Sequence, residues 1–214
     1  MNVSSAKENI LKRIRQALSD STPIPFPQSE GNHSVFQPSA QELEVEFAQQ
    51  FTKLLGKFIF CVDHGELAAQ LNALVIHQGW KKIYCREEKL RQTLRANRFD
   101  SFAEVELADC DAAITGCELL IARTGSIVLS TGAANPSGGR TVSVYAPVHI
   151  CIAYTDQLAY DIKDGLLLLK SRYQDHFPSL VTFATGPSRT ADIEKTLVVG
   201  VHGPKEVFLF LIDR

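Results

Sequence analysis

Apolar residues along residues 39–107 follow two patterns, one typical of amphipathic helices and one typical of buried strands. Helical stripes occupy positions 43, 47, 51 and 54 and positions 67, 71, 74 and 75. Short continuous apolar runs occupy residues 57–62 and 82–85, and a charged helix is predicted over 87–97 and a strand over 102–107. Helices that alternate with continuous apolar strands are typical of a parallel sheet covered on both faces. The pattern therefore predicts an α/β fold.

From residue 111 the pattern changes to short strand-like runs. They read AAIT, LLIA, SIVLS, TVSV and HICIA, and Arg123–Ser126 between two of them predicts a tight hairpin turn. A long helix is then expected after Thr155 or Asp156, with positions 158, 162, 166 and 169 facing inward. Apolar runs at 180–184 and 207–212 predict two further strands.

The first 38 residues read differently from the rest. Ser5–Glu8 is a capping box followed by apolar positions 10, 11, 14 and 18, which predicts an amphipathic helix. Residues 21–38 contain four of the nine prolines and show no periodicity. A second capping box, Ser39–Glu42, precedes the first stripe. We interpret residues 1–20 as a helical arm, 21–38 as a linker and 39–214 as the α/β domain.

Composition narrows the function classes. With 22 basic and 24 acidic residues, nothing favours nucleic acid or an anionic membrane, and no apolar stretch suits a signal peptide or a membrane span, so a cytoplasmic protein is expected. The five cysteines form no C-x-x-C pair, so neither a disulfide framework, nor a zinc site, nor an iron–sulfur cluster is expected in this chain. Any electrons would be carried by another protein.

Residues 185–205 predict the functional site. A Gly-Pro-Ser turn and a His-Gly-Pro turn bracket an Asp-Ile-Glu triplet between two apolar runs. Open α/β sheets bind ligands at the ends of their strands. The polar residues at predicted strand ends or in loops are therefore expected to converge in one cleft, and they are Glu118, Arg140, His149, Ser188, Arg189, Asp192, Glu194 and His202. One acid would act as general base beside an arginine, with a histidine tuning protonation.

The alternatives to a site are ordinary. Both turns could be structural, and Asp192 and Glu194 could sit in the first turn of a helix begun near Ser188. The stretch 131–140, TGAANPSGGR, could be an anion-binding loop or a flexible one, because it matches neither the Walker A pattern nor G-x-G-x-x-G. The spacing of Asp192, Glu194 and His202 fits no metal motif.

The motifs RTGSIVLST, the downstream Arg140, APVHI, GPSRTADIE and GVHGP, in this order, resemble the LUD domain family. The resemblance covers about residues 105–214 by motif and the remainder by layout. The positions that match the family motif are glycines, prolines and polar residues, namely Thr124, Gly125, Arg140, Pro147, His149, Gly186, Pro187, Ser188, Thr190, Asp192, Glu194, His202, Gly203 and Pro204. Arg123 departs from it, since many relatives have an acidic or small residue there.

The resemblance implies a three-layer Rossmann-like fold similar to the sugar-phosphate isomerase and CoA-transferase superfamily. It also implies a part in bacterial oxidation of L-lactate to pyruvate together with iron–sulfur partner proteins. The expected catalytic residues are Glu118, Asp192, Glu194 and His202, and the expected substrate-binding residues are Thr124, Gly125, Arg140, His149, Gly186, Ser188 and Thr190, with no metal and no cofactor in this chain.

Three hypotheses follow for the function. The chain is a subunit of a lactate-oxidising complex that binds a small carboxylate or orders the complex. Alternatively it is a stand-alone isomerase or transferase on a phosphorylated or CoA-linked metabolite, with Glu118, Asp192 or Glu194 as base. In the third, it is a regulatory or scaffold module without catalysis.

Overall fold

The computed structural model describes residues 5–19, 41–131, 139–193, 196–200 and 202–214. The chain divides into two compact units, Met1–Gln37 and Pro38–Arg214. The first contains helix α1 (Ser5–Ser19), as predicted, while the linker predicted for residues 21–38 lies outside the described residues. Over the described ranges, no helix combines the length and the apolar character needed to cross a membrane.

A five-stranded parallel sheet forms the centre of the second unit. The side chains of its strand β11 (Glu206–Ile212) alternate between the two faces of the sheet. Phe208 and Phe210 pack into the core on one face, and Leu209 and Leu211 pack into the core on the other. Helices α3 (His64–Gln78) and α4 (Glu88–Ala96) cover the first face. The strand order is β1 (Lys57–Cys61), β11 (Glu206–Ile212), β6 (Val148–Tyr154), β3 (Ala112–Thr115) and β2 (Ile83–Tyr84).

The opposite face of the main sheet is covered by two helices and a second, four-stranded sheet. The helices are α2 (Leu43–Lys53) and α5 (Gly139–Tyr145). The second sheet has the order β7 (Leu158–Ala159), β4 (Leu119–Ile121), β5 (Ser126–Ser130) and β8 (Val181–Ala184), and α6 (Ile162–Tyr173) packs on its outer face. The predicted three-layer α/β class is confirmed. Similarity to the isomerase and CoA-transferase superfamily stays a prediction.

An antiparallel ribbon connects the second sheet to β11. It consists of β9 (Arg189–Ile193) and β10 (Thr196–Val199), with Arg189 opposite Val199 at its base. The helix considered for the segment that begins near Ser188 is therefore wrong. The segment is extended, and its backbone groups pair with β10.

Local signals set the ends of one helix correctly and failed for another. The Asp63 carboxylate accepts the Glu66 N–H at 2.8 Å at the start of α3, and Gly79 ends that helix with φ +69°. The capping box at Ser39–Glu42 is wrong as a helix start, because α2 begins after Glu42, which makes no side-chain cap.

Three element predictions are corrected. Residues 102–107 form an isolated bridge from Phe102 to Ile83 in place of the predicted strand, and Leu107 begins a short 3₁₀ helix. The TVSV segment is helical, because α5 buries Val142 against the main sheet despite its strand-like composition. The helix expected after Thr155 begins instead at Ile162, where the Asp161 side chain caps it, and a short turn and β7 precede it.

Candidate functional site

Two turns predicted to carry the site meet one end of α5 at the amino ends of β6 and β11. The His-Gly-Pro turn and the end of α5 line a cavity of about 500 Å³, here called the amino-end groove. Its lining residues are Val144, Tyr145, Ala146, Pro147, Gly200, His202, Gly203 and Lys205. The Gly-Pro-Ser turn contacts the His-Gly-Pro turn but is not among the lining residues. Main-chain hydrogen bonds hold the turns together. The Ser188 N–H donates to the Pro204 carbonyl, and the Lys205 N–H donates to the Pro147 carbonyl, both at 2.9 Å.

Two glycines allow the close approach that shapes this groove. A Cβ on Gly203 would lie 2.9 Å from the Ser188 Cβ, so a larger residue there would displace Ser188. Gly200 has φ +79°, and a Cβ on it would collide with the side chain of Lys205. The stem of Lys205 therefore lies over Gly200, while the residue remains exposed beside His202.

Lys205 is the cation that sequence reasoning did not propose for the site. Lys205 directly follows the predicted His-Gly-Pro turn, at the end of the sequence GVHGPK. Its position three residues after His202 is the sequence signal that could have identified it as a site residue. An exposed ammonium and an exposed imidazole on one wall favour an anionic ligand.

His149 lies two residues beyond Pro147 but is buried within β6. Its Nε2 is 2.8 Å from the Thr115 Oγ1, and its Nδ1 has no hydrogen-bond partner among the described residues. Burial lowers the pKa of His149 to about 4, so the ring is neutral at physiological pH. A buried ring nitrogen without a partner is uncommon in folded proteins, where a water or ligand atom usually satisfies such a group.

Thr124, which was predicted to bind substrate, belongs to a chain of hydroxyl groups on the second sheet. Its Oγ1 is 2.7 Å from the Ser126 Oγ, which is 2.8 Å from the Thr185 Oγ1. The chain links the β4–β5 turn to the residue that precedes Gly186.

Gly125 and Gly186 bring these two turns against the end of α2. Gly125 has φ +59°, and a Cβ on it would lie 2.6 Å from the Phe51 backbone nitrogen. Gly186 has φ +77°, and a Cβ on it would lie 2.5 Å from the Leu54 carbonyl oxygen. Both glycines are thus explained by close backbone packing, which requires no ligand.

Glu118 lies in a separate, buried network. Its carboxylate accepts hydrogen bonds from the Ser130 hydroxyl at 2.5 Å, the Tyr173 hydroxyl at 2.6 Å and the Arg172 guanidinium at 2.9 Å. These bonds connect the start of β4 with β5 and α6. A general-base role for Glu118 stays a prediction.

Among the remaining predicted residues, the structure describes the backbone positions of Arg140, Thr190 and Asp192. Arg140 lies in the first turn of α5, whereas the groove lies at the other end of that helix. Thr190 and Asp192 lie in β9, on the ribbon that begins just after Ser188. Their side chains and that of Arg140, and Glu194 as a whole, lie outside the described part of the chain. Convergence of Arg140, His149, Asp192 and His202 in one cleft therefore stays a prediction.

A second cavity, of about 190 Å³, lies at the carboxyl ends of β3 and β6, where open α/β sheets usually hold ligands. Glu87 and Cys117 are among its lining residues, and Glu87 accepts the Gly116 N–H at 3.0 Å. Burial raises the pKa of the Glu87 carboxyl, and the Gly116 N–H opposes that effect. The amino-end groove is thus at the opposite end of the main sheet from the end that the general rule favours.

The described residues contain no group of three or more His, Cys, Asp or Glu side chains arranged to hold a metal ion. All five cysteines are free, and four of them are buried. Burial raises the pKa of the Cys85 thiol to about 12 and that of Cys61 to about 11, so these thiols stay protonated at neutral pH.

The family model of the LUD domain matches residues 86–212, which is more than half of the chain. The chain belongs to the LUD domain family. The match includes the β4–β5 turn, α5, the ribbon, the Gly-Pro-Ser turn and the His-Gly-Pro turn. The resemblance inferred from the sequence motifs is therefore confirmed.

Relatives of this chain include proteins with a functional name. The chain is 26% identical to lactate utilization protein C of Anoxybacillus flavithermus, over 97% of this chain and 98% of that protein. It is 33% identical to lactate utilization protein C of Deinococcus radiodurans, over 51% of this chain and 50% of that protein. The match spans about half the length of several such relatives.

A solved structure shares the LUD fold. The crystal structure of a DUF162 family protein from Deinococcus radiodurans superposes with a TM-score of 0.59 at 19% identity, covering 82% of this chain and 99% of that one. At this identity the similarity concerns the fold alone. It supports the layered α/β architecture described above.

Proposed function

We propose that this LUD-domain protein takes part in bacterial utilization of L-lactate and binds a small carboxylate in the amino-end groove. The observation that carries the proposal is the match to lactate utilization protein C of Anoxybacillus flavithermus, which extends over nearly the full length of both proteins. The groove supports the binding part, since Lys205 and His202 place a cation and an imidazole on one wall.

The groove has room for a three-carbon hydroxy acid, and its cation suits the charge of one. Its volume of about 500 Å³ lies within the usual range for small-molecule sites. The Lys205 ammonium would pair with the carboxylate, and the His202 imidazole would contact the hydroxyl or keto oxygen. The motif residues Arg140, Asp192 and Glu194 are the further candidates for this site.

Oxidation of lactate to pyruvate releases two electrons and two protons. In this proposal the electrons would pass to iron–sulfur partner proteins, while this chain would hold the substrate anion or order the complex. The O–H bond and the C–H bond at the hydroxyl-bearing carbon of lactate both break. His202 would accept the hydroxyl proton, and Asp192 or Glu194 would accept the proton from carbon. A purely structural role for Glu118 would be compatible with this scheme, because its carboxylate is already occupied by three donors.

A ligand-binding measurement tests the proposal. Calorimetric titration of the purified chain with L-lactate and with pyruvate should show saturable binding. Lys205→Ala should weaken that binding about five- to tenfold, which corresponds to about 1 to 1.4 kcal/mol for one charge-assisted contact. Lys163→Ala, which removes an exposed lysine from α6, is the matched control and should leave the affinity unchanged.

Other ligands in the same titration separate the competing functions. Binding of sugar phosphates or CoA without binding of lactate or pyruvate would favour an isomerase or transferase instead. Absence of binding by any of these compounds would favour a module without catalysis. The proposed partners are tested by purification of the chain from lactate-grown cells followed by iron analysis of the proteins that accompany it.

A further inference from the structure

An apolar groove with an acidic rim lies between α2 and the edge strand β1. Its cavity measures about 780 Å³, and its apolar lining residues include Val45, Phe58 and Phe60. Val45 and Phe60 are large apolar residues that remain 43% and 45% exposed. We call this surface, together with Glu42, Glu44 and Asp213 on its rim, the α2–β1 groove.

The charge on this rim has one sign. The charged lining residues within the described part of the chain are all acidic, namely Glu42, Glu44 and Asp213. Association of two α2–β1 grooves face to face would bring like charges together, which is unfavourable. The groove therefore suits an apolar partner surface flanked by cations.

Helix α1 of this chain has those properties. Ile10, Leu11 and Ile14 lie on one face of the helix, and all three are exposed. At about 100° per residue, Arg13 lies about 60° to one side of Ile10, and Arg15 lies about 40° beyond Leu11 on the other side. The apolar stripe is thus bordered by an arginine on each side.

We propose that the α2–β1 groove binds the α1 helix of a second copy of this chain. The apolar stripe would enter the groove in the manner of an amphipathic helix, and the arginines would face the acidic rim. Reciprocal exchange between two copies would cover the apolar stripe and the α2–β1 groove of each copy. Each contact joins two different surfaces, the helix of one copy and the groove of the other. The two equivalent contacts together give a dimer with two-fold symmetry.

Two measurements on the full-length protein test this arrangement. Sedimentation velocity should show a monomer–dimer equilibrium whose dissociation constant rises at least tenfold in Ile10→Glu/Ile14→Glu. A fluorescent peptide of residues 5–19 should bind the full-length chain, and its affinity should fall at least tenfold in Glu42→Lys/Glu44→Lys. The peptide with Arg13→Glu and Arg15→Glu should recover affinity for that variant, and added salt should weaken the wild-type complex.

Matched variants keep the test independent of folding. Ile76→Ser removes an exposed isoleucine from α3 and should leave both measurements unchanged. Asp213→Lys reverses a rim charge outside any helix and should weaken peptide binding in the same direction as the glutamate variant. Circular dichroism verifies the fold of each variant.

Two outcomes would overturn the proposal. A chain that stays monomeric at every concentration, even if it binds the peptide, does not exchange α1 between copies. A dimer that survives both the Ile10→Glu/Ile14→Glu and the Glu42→Lys/Glu44→Lys changes is formed by another surface.

Discussion

Gly125 satisfies two backbone requirements at a single position. Its φ of +59° lies in the left-handed region, and an added Cβ would lie 2.6 Å and 2.8 Å from backbone atoms of Phe51 and Gln50. The RTGS turn itself was predictable, because a tight hairpin connection favours glycine at a left-handed position. Its contact with α2 was not, since it depends on where a distant helix packs.

We expect Gly125→Ala to lower the free energy of unfolding by about 3 kcal/mol, combining left-handed strain with a collision against backbone. Gly79→Ala is the control, because Gly79 has a similar φ of +69° but no atom within 4 Å of the added Cβ. It should lose only about 1 kcal/mol. Urea denaturation of both variants measures the difference, and equal losses would contradict the packing explanation.

At the scale of elements, Glu118 connects β4, β5 and α6 through side-chain bonds. The sequence marked it as a candidate base because it lies at a predicted strand end. The structure gives its carboxylate three donors from other elements, and such a network cannot be recognised from the order of residues. For the same reason TVSV was misassigned: its residue types favour strands, but packing against the main sheet decided for a helix.

Glu118→Gln should lower the free energy of unfolding by about 2 kcal/mol, because the amide cannot accept from all three donors. Glu104→Gln breaks an ion pair with Arg91 in which Glu104 is largely exposed, and it should change stability little. Thermal unfolding of both proteins is the measurement. Loss of lactate-dependent activity at unchanged stability would instead support Glu118 as the general base.

For the whole molecule, acid sensitivity should come first from His149. Its pKa is about 4 in the folded protein and 6.5 unperturbed, so between these values the unfolded chain binds the extra proton. The contribution of neutral His149 to the free energy of unfolding is therefore complete above pH 6.5. It is lost as the pH falls towards 4, by roughly 3 kcal/mol in total. His149→Gln should show a flatter dependence in this window.

Other titrating groups fall outside that window or cancel in the comparison. Backbone N–H groups of Lys81 and Lys82 lower the pKa of Asp111, and Arg123 lowers that of Asp161, so their contributions disappear only at lower pH. Glu87, whose pKa is raised by burial, acts with the opposite sign but is present in both proteins. Identical slopes for wild type and His149→Gln between pH 6.5 and 4 would contradict the assignment.

The sequence alone determined the α/β class, most helices and strands, the RTGS and HGP turns and the LUD resemblance. These features depend on periodicity and turn chemistry, which act over a few neighbouring residues. Only the tertiary structure decided which end of the sheet carries the amino-end groove and that Lys205 borders it. Strand β11 inserts between β1 and β6, and this pairing brings the residue after the HGP turn beside Pro147. Strand order depends on contacts between distant parts of the chain, so no local pattern specifies it.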